Sequence, residues 1–127
     1  MAKRKILVVD DDPTMVKLIN VNLKLNNYSV VEATSGEQAL AVLSNEPLDL
    51  VVLDIMMPGT DGYGVCNELK SDPATANIPV IFLTGKDRND DMGRSFKVGG
   101  DMFIKKPFSC ERLLEIVNII LMSTGKH

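Results

Sequence analysis

An α/β fold built on a doubly wound parallel sheet is what this chain of 127 residues predicts, and three observations carry the prediction. Short apolar runs recur at Ile6 to Val9, Ser29 to Val31, Leu50 to Leu53 and Val80 to Leu83, with a weaker fifth at Met102 to Ile104. Unbroken apolar character over so few residues suits strands buried on both faces. Stretches with helical spacing separate the runs, and the runs close on polar, titratable or hydroxylic residues. Repeated alternation of strand and helix calls for helices on both faces of one parallel sheet, joined by right-handed crossovers.

The elements follow in order. After the first strand, Asp12 is placed to cap a helix whose first turn accepts Pro13, and Met15, Leu18, Ile19 and Leu23 repeat on its inner face. Thr34-Ser35-Gly36-Glu37-Gln38 offers a capping box either from Thr34 to Glu37 or from Ser35 to Gln38, opening a second helix with Leu40 and Leu43 inward. A third, short helix spans Tyr63 to Leu69 after the Pro58-Gly59 turn, and a fourth lies between Asn89 and Val98, stopped by Gly99-Gly100. The last runs from Ser109 to Met122. It turns Leu113, Val117, Ile120 and Leu121 to the sheet and leaves Ile116 and Ile119 outside that stripe, near Met122.

Composition bounds the reading. Hydrophobic residues make up 45% and charged residues 24%, a globular mixture rather than a disordered one. Nothing resembling a repeat or linker divides the chain, so one domain over 1–127 is expected, with a core from about 4 to 122 and residues 123–127 as a tail or a cut linker. The net charge of −3 argues against direct binding of nucleic acid, and Lys3-Arg4-Lys5 reads as a solubilising strand entry. Cys66 and Cys110, far apart and outside any CxxC pair, suggest neither zinc nor a disulfide. The N-terminus is too short and acidic for a signal peptide and no long apolar span follows, so the expectation is a cytoplasmic protein without membrane attachment.

In open parallel sheets, ligands gather beyond the carboxyl ends of the strands. Here those ends carry Asp10-Asp11-Asp12, Asp54, Thr84-Gly85 and Lys105-Lys106-Pro107. Carboxylates meeting at one edge repel by about 4 kcal/mol per close pair at an effective dielectric near 20, so the cluster needs a cation or a raised pKa. A set of oxygen donors without histidine suits Mg²⁺ rather than zinc. With Thr84 and Lys106 at neighbouring strand ends, Asp54 stands in the company that a phosphoryl group needs, a hydroxyl and an ammonium to meet its spread charge.

Ile6-Leu7-Val8-Val9-Asp10-Asp11, Leu53-Asp54-Ile55-Met56-Met57-Pro58-Gly59, Leu83-Thr84-Gly85 and Lys106-Pro107-Phe108 together resemble the receiver domains of bacterial two-component systems. The resemblance covers essentially the whole chain. It implies a flavodoxin-like (βα)₅ fold with strand order 2-1-3-4-5. It makes Asp54 the acceptor of a phosphoryl group from a histidine kinase or a histidine phosphotransfer protein. Asp11, Asp54 and the Met56 carbonyl would hold Mg²⁺, and Asp10 would reach the ion through water. Thr84 would hydrogen-bond one phosphoryl oxygen and Lys106 would pair with another, ahead of a cis bond to Pro107. Gly85 matches the small residue that keeps the entrance open, and Met56 and Lys86 border the path of attacking water.

The same resemblance puts Phe103 at the aromatic switch position. Many relatives have tyrosine there, so only ring packing remains available to the switch. Receivers commonly signal through their fourth helix, fifth strand and fifth helix, which makes Phe103, Lys105, Ile116 and Ile119 the expected border of a docking surface for a downstream protein. The implied state is a monomer or a weak, phosphorylation-dependent dimer. Its only catalysis would be its own phosphorylation and dephosphorylation. Because no DNA-binding or enzymatic segment follows Met122, a stand-alone regulator is expected, with a phosphorelay intermediate or a receiver excised from a larger response regulator or hybrid kinase as the alternatives. A haloacid dehalogenase type phosphatase would need a second acid where Met56 stands, as well as a cap domain. A flavodoxin would need a phosphate-binding loop where the three aspartates stand.

Overall fold

In a computed structural model that describes residues 3–85 and 101–123, five strands form one parallel sheet in the order β2-β1-β3-β4-β5. The strands are β1 (Lys5–Val9), β2 (Ser29–Ala33), β3 (Leu50–Asp54), β4 (Val80–Thr84) and β5 (Met102–Lys105). Three helices, α1 (Pro13–Leu25), α2 (Gly36–Asn45) and α3 (Gly62–Ser71), are joined by a C-terminal helix, Cys110–Ser123. The helix expected from Asn89 to Val98, its Gly99-Gly100 stop and Lys86 lie outside the described residues.

Strand alternation explains both the apolar runs and the two cores. Ile6, Val8, Leu50, Val52, Ile81 and Leu83 face α1 and the C-terminal helix, while Leu7, Val9, Val51, Leu53, Val80 and Phe82 face α2 and α3. Successive side chains of a strand point to opposite faces, so a strand covered on both sides must be apolar at every position. β2 lies at the edge and is half-buried. It runs two residues beyond the apolar run, through Glu32 to Ala33, because its pairing with β1 continues to Val9.

The helix ends obey local chemistry. The Asp12 carboxylate accepts from the Thr14 N–H at 3.0 Å, with Pro13 in the first turn. Asp12→Ala should lower stability by about 1 kcal/mol, the usual worth of such a cap, seen as a lower urea midpoint with an unchanged slope. At α2, Ser35 accepts from the Gln38 N–H at 3.1 Å, and the Gln38 side chain accepts from the Thr34 N–H at 2.8 Å. Of the two capping pairs the sequence offers, the Ser35–Gln38 one forms, which leaves Glu37 to another use. Asp61 caps α3 through the Gly64 N–H at 2.9 Å.

Two helix faces differ from their expected ones. In α1 the buried positions are Val16, Ile19, Asn20 and Leu23, whereas Leu18 is 48% exposed and Met15 only partly buried. A polar residue at an inner position disguised the stripe: Asn20 donates to Glu32 of β2 and so fills a place where an apolar side chain would have marked the face. In the C-terminal helix Ile116 is only 4% exposed and belongs to the core, a correction to its expected surface role, because 113, 116, 117, 120 and 121 form one broad helical face. Ile119 is 58% exposed and stays on the surface. Cys66 is buried and Cys110 half-buried, neither in a disulfide, and burial pushes the Cys66 thiol up to about 11. No helix among the described residues is long and apolar enough to cross a membrane.

Candidate functional site

Three strands deliver their last residues to one place. Asp10 follows β1 directly, its N–H donating to the Ala33 carbonyl at 3.2 Å, and Asp54 closes β3, with the next N–H, that of Ile55, donating to the Leu83 carbonyl at 3.0 Å. Both carboxylates are nearly inaccessible, Asp10 at 0% and Asp54 at 3% exposure. Asp11 is exposed at the rim. One oxygen from each of Asp10, Asp11 and Asp54 lies within 4.8 Å of the others. Oxygens on opposite sides of a bound Mg²⁺ stand about 4 Å apart, so the cluster has nearly the span of a hard-cation site, and all its donors are oxygen.

The fourth charge comes from Lys106, just beyond β5. Its ammonium donates to Asp10 Oδ2 at 2.8 Å and stands 3.5 Å from Asp54 Oδ1. Its own N–H donates to the Thr84 carbonyl at 2.6 Å, which fixes the segment after β5 against the end of β4. The bond to Pro107 is cis, as the resemblance implies. Two buried carboxylates and an exposed third meet one ammonium, so the cluster is short of positive charge. Burial, then the neighbouring charge of Asp10, push the Asp54 carboxyl up to about 7; Lys106 opposes the rise and Asp11 adds to it. Burial works against the Lys106 ammonium too, but its hydrogen bond to Asp10 and the charges of Asp54 and Asp10 outweigh that and raise its pKa.

Thr84 ends β4 and is buried, one position beyond Leu83, the register partner of Asp54. Among the described residues, a Cβ built on Gly85 meets nothing within 4 Å. Met56 follows Asp54 by two residues with its side chain exposed, in the loop between β3 and α3. That loop is shaped by Gly59, whose φ of 75° a residue with a Cβ rarely adopts. It is closed where the Gly62 N–H donates to the Ile55 carbonyl at 3.0 Å.

The four residues expected at the output surface are divided. Phe103, half-buried, packs on the core beside α2 and α3, and Lys105 is exposed. A cavity of about 470 Å³ opens next to β5 and is lined by Phe103, Lys105, Phe108, Arg112 and Ile116, so that Ile116 belongs to the core and also borders this space. Ile119 lies apart on the outer face of its helix. Sequence reasoning missed two contacts that shape the site. One is the pairing of Lys106 with Asp10, for which the two ends of the chain give no local signal. The other is Glu37, read only as a capping residue, whose carboxylate accepts from the Thr60 hydroxyl at 2.8 Å in the loop after Asp54.

Known proteins share this fold. The response regulator receiver domain family matches residues 6–118. The chain is 38% identical to a probable transcriptional regulator, ycf27, of Porphyridium aerugineum, over 99% of this chain and 51% of that protein. It is 37% identical to the DNA-binding dual master transcriptional regulator RpaA of Synechocystis, over 96% of this chain and 51% of RpaA. It thus spans about half the length of these relatives. Among solved structures, the signal receiver domain of a signal transduction histidine kinase from Syntrophus aciditrophicus superposes with a TM-score of 0.90 at 34% identity, covering 98% of this chain and 94% of that one. By the family match over residues 6–118, the chain belongs to the response regulator receiver domain family, the receiving module of two-component signalling.

Proposed function

We propose that this domain is a phosphorylation-dependent switch in which Asp54 accepts a phosphoryl group from a histidine kinase or a histidine phosphotransfer protein, with Mg²⁺ bound beside it. The observation that carries the reading is the placing of the Lys106 ammonium between the buried carboxylates of Asp10 and Asp54. Asp11, Asp54 and the Met56 carbonyl would hold the ion, and Asp10 would reach it through water. Bound there, Mg²⁺ supplies positive charge to the oxygens of the incoming phosphoryl group.

The chain's own residues do the rest. An oxygen of Asp54 attacks phosphorus in line while the bond to the donor imidazole nitrogen breaks, leaving an acyl phosphate on Asp54. Positioning and charge neutralisation carry most of such a transfer. Lys106, already within 3.5 Å of Asp54, pairs with a phosphoryl oxygen, and the Thr84 hydroxyl meets another. The domain catalyses nothing beyond its own phosphorylation and dephosphorylation. Inward movement of Thr84 lets Phe103 repack, and a partner that favours the repacked state reads the switch through the surface by Phe103, Lys105 and Ile119.

The coverage of the relatives favours a second form of the same reading. A receiver that spans half of proteins such as RpaA can act as the input half of a longer regulator, with its output carried by another segment. The chemistry at Asp54 is common to both forms.

Incubation with Mg²⁺ and a small acyl phosphate donor, followed by intact mass measurement, tests the reading. A gain of one phosphoryl group by the parent chain is expected, and its loss both in Asp54→Asn and in EDTA. A gain that survives Asp54→Asn would move the acceptor elsewhere, and no gain from either a small donor or a phosphorylated phosphotransfer protein would remove the reading.

A further inference from the structure

The loop that follows Asp54 is tied, two residues before α3, to the first turn of α2. The Glu37 carboxylate, in the first turn of α2, accepts from the Thr60 hydroxyl at 2.8 Å and from the Thr60 N–H at 3.2 Å. The neighbours of this pair are close-fitted. A Cβ on Gly36 would lie 2.3 Å from the Thr60 carbonyl oxygen, and one on Gly64 would lie 3.1 Å from the Thr60 methyl. Thr60 therefore sits between the first turn of α2 and the first turn of α3, and two hydrogen bonds to one carboxylate hold it there. The Thr60 hydroxyl is the first cause that holds the Glu37 carboxyl below the ordinary range, so the carboxylate form makes the contact at neutral pH.

Both ends of this tie lead back to the acid cluster. α2 follows β2, whose Ala33 carbonyl accepts the Asp10 N–H. Thr60 lies in the stretch that starts at Asp54 and closes at Gly62, where the Gly62 N–H meets the Ile55 carbonyl. Between those fixed points lies Met56, the residue whose carbonyl belongs to the proposed Mg²⁺ site. A loop held in place before the ion arrives loses less freedom when the ion binds, which is how preorganisation strengthens a site without touching the ligand.

We infer that Glu37 and Thr60 are positioning residues for the divalent cation site: their hydrogen bonds hold the β3–α3 loop ready to present the Met56 carbonyl. The inference rests on the Mg²⁺ reading of the acid cluster and adds to it two residues that do not contact the ion.

Thr60→Val removes the hydroxyl at nearly constant shape, Glu37→Ala removes both bonds, and Glu37→Gln keeps an accepting oxygen. Mg²⁺ titration by calorimetry should give a dissociation constant raised about threefold to tenfold in Thr60→Val and Glu37→Ala, the effect of one or two lost hydrogen bonds. Glu37→Gln should recover most of the affinity. Amide hydrogen exchange at position 60 in EDTA, relative to the intrinsic rate of the residue there, should quicken in the first two variants, which reports that the tie has opened. Mg²⁺ affinity equal to the parent's with faster exchange at position 60 would make the tie merely structural and overturn the inference, as would unchanged relative exchange in all three variants. Should Glu37→Ala fail to fold, Thr60→Val carries the test. A parent chain that binds no Mg²⁺ would instead remove the metal reading itself, and this inference with it.

Discussion

In EDTA at pH 8, Asp54→Asn should unfold several degrees above the parent chain, and the gap should close as the pH is lowered toward 4. The buried Asp54 carboxyl is pushed from an ordinary 3.8 up to about 7. A carboxyl with a raised pKa in the fold binds its proton more tightly there than in the unfolded chain. Its cost to the folded state is absent below about pH 4, grows as the pH rises toward 7 and is complete above that. Three pKa units correspond to about 4 kcal/mol, and loss of the attraction to Lys106 in the variant offsets part of it. A gain of about 2 kcal/mol is expected, or roughly 6 to 8 °C in melting temperature for a domain of this size. Mg²⁺ should reverse the order. At one hundred times its dissociation constant it stabilises the parent by about 2.7 kcal/mol and should leave Asp54→Asn nearly unchanged. Thermal melts across pH, with and without Mg²⁺, check both arms; a gap that ignores pH would mean that the Asp54 charge is not what strains the fold.

Gly62→Ala should be a strongly damaging single methyl at the end of β3. Its Cβ would lie 2.4 Å from the Asp54 carbonyl oxygen and 2.8 Å from the Ile55 Cα, both of them backbone atoms that cannot turn aside. Gly62 begins α3 and is pressed onto the end of β3, so relief must come from moving the helix or the strand end. Overpacking of this kind costs about 1–3 kcal/mol, and the upper end is expected where the obstacle is backbone. The displaced strand end carries Asp54, so the stabilisation by Mg²⁺ should fall as well. Gly85→Ala is the control, since a Cβ there meets nothing within 4 Å among the described residues. Urea unfolding in EDTA and in Mg²⁺ gives both readings; a Gly62→Ala chain with parental stability and parental Mg²⁺ response would show that α3 does not hold the strand end in place.

The parts of the molecule legible in the sequence are those with a periodic or terminal signal. β1, β3 and β4 are covered on both faces, so their apolar runs had no polar interruption, and the residues after them are polar because they meet at one open edge. Asp10, Asp11, Asp54, Thr84 and Lys106 could be collected from strand ends for that reason. The inner face of α1 is hidden from the apolar pattern because Asn20, a polar residue, sits in it and pairs with Glu32. Ile116 is in the core and not on the surface because the C-terminal helix is buried over a wider arc than a narrow stripe suggests. Glu37 stood where a capping residue was equally suitable, and only the folded chain shows that Gln38 takes that work while Glu37 crosses to Thr60, 23 positions away.

The pairing of Lys106 with Asp10 joins residues 96 positions apart in the chain. During synthesis from the N-terminus, β1 and β3 emerge with their strand-end acids long before the ammonium that balances them. Any intermediate containing β1 to β4 therefore has an exposed sheet edge and an uncompensated pair of carboxylates together, and docking of β5 with the residue after it relieves both. So distant a contact brings its reward late in folding. Until then, soluble cations or protons must quiet the acid cluster, and the ionic conditions of the nascent chain bear on how readily its sheet is completed.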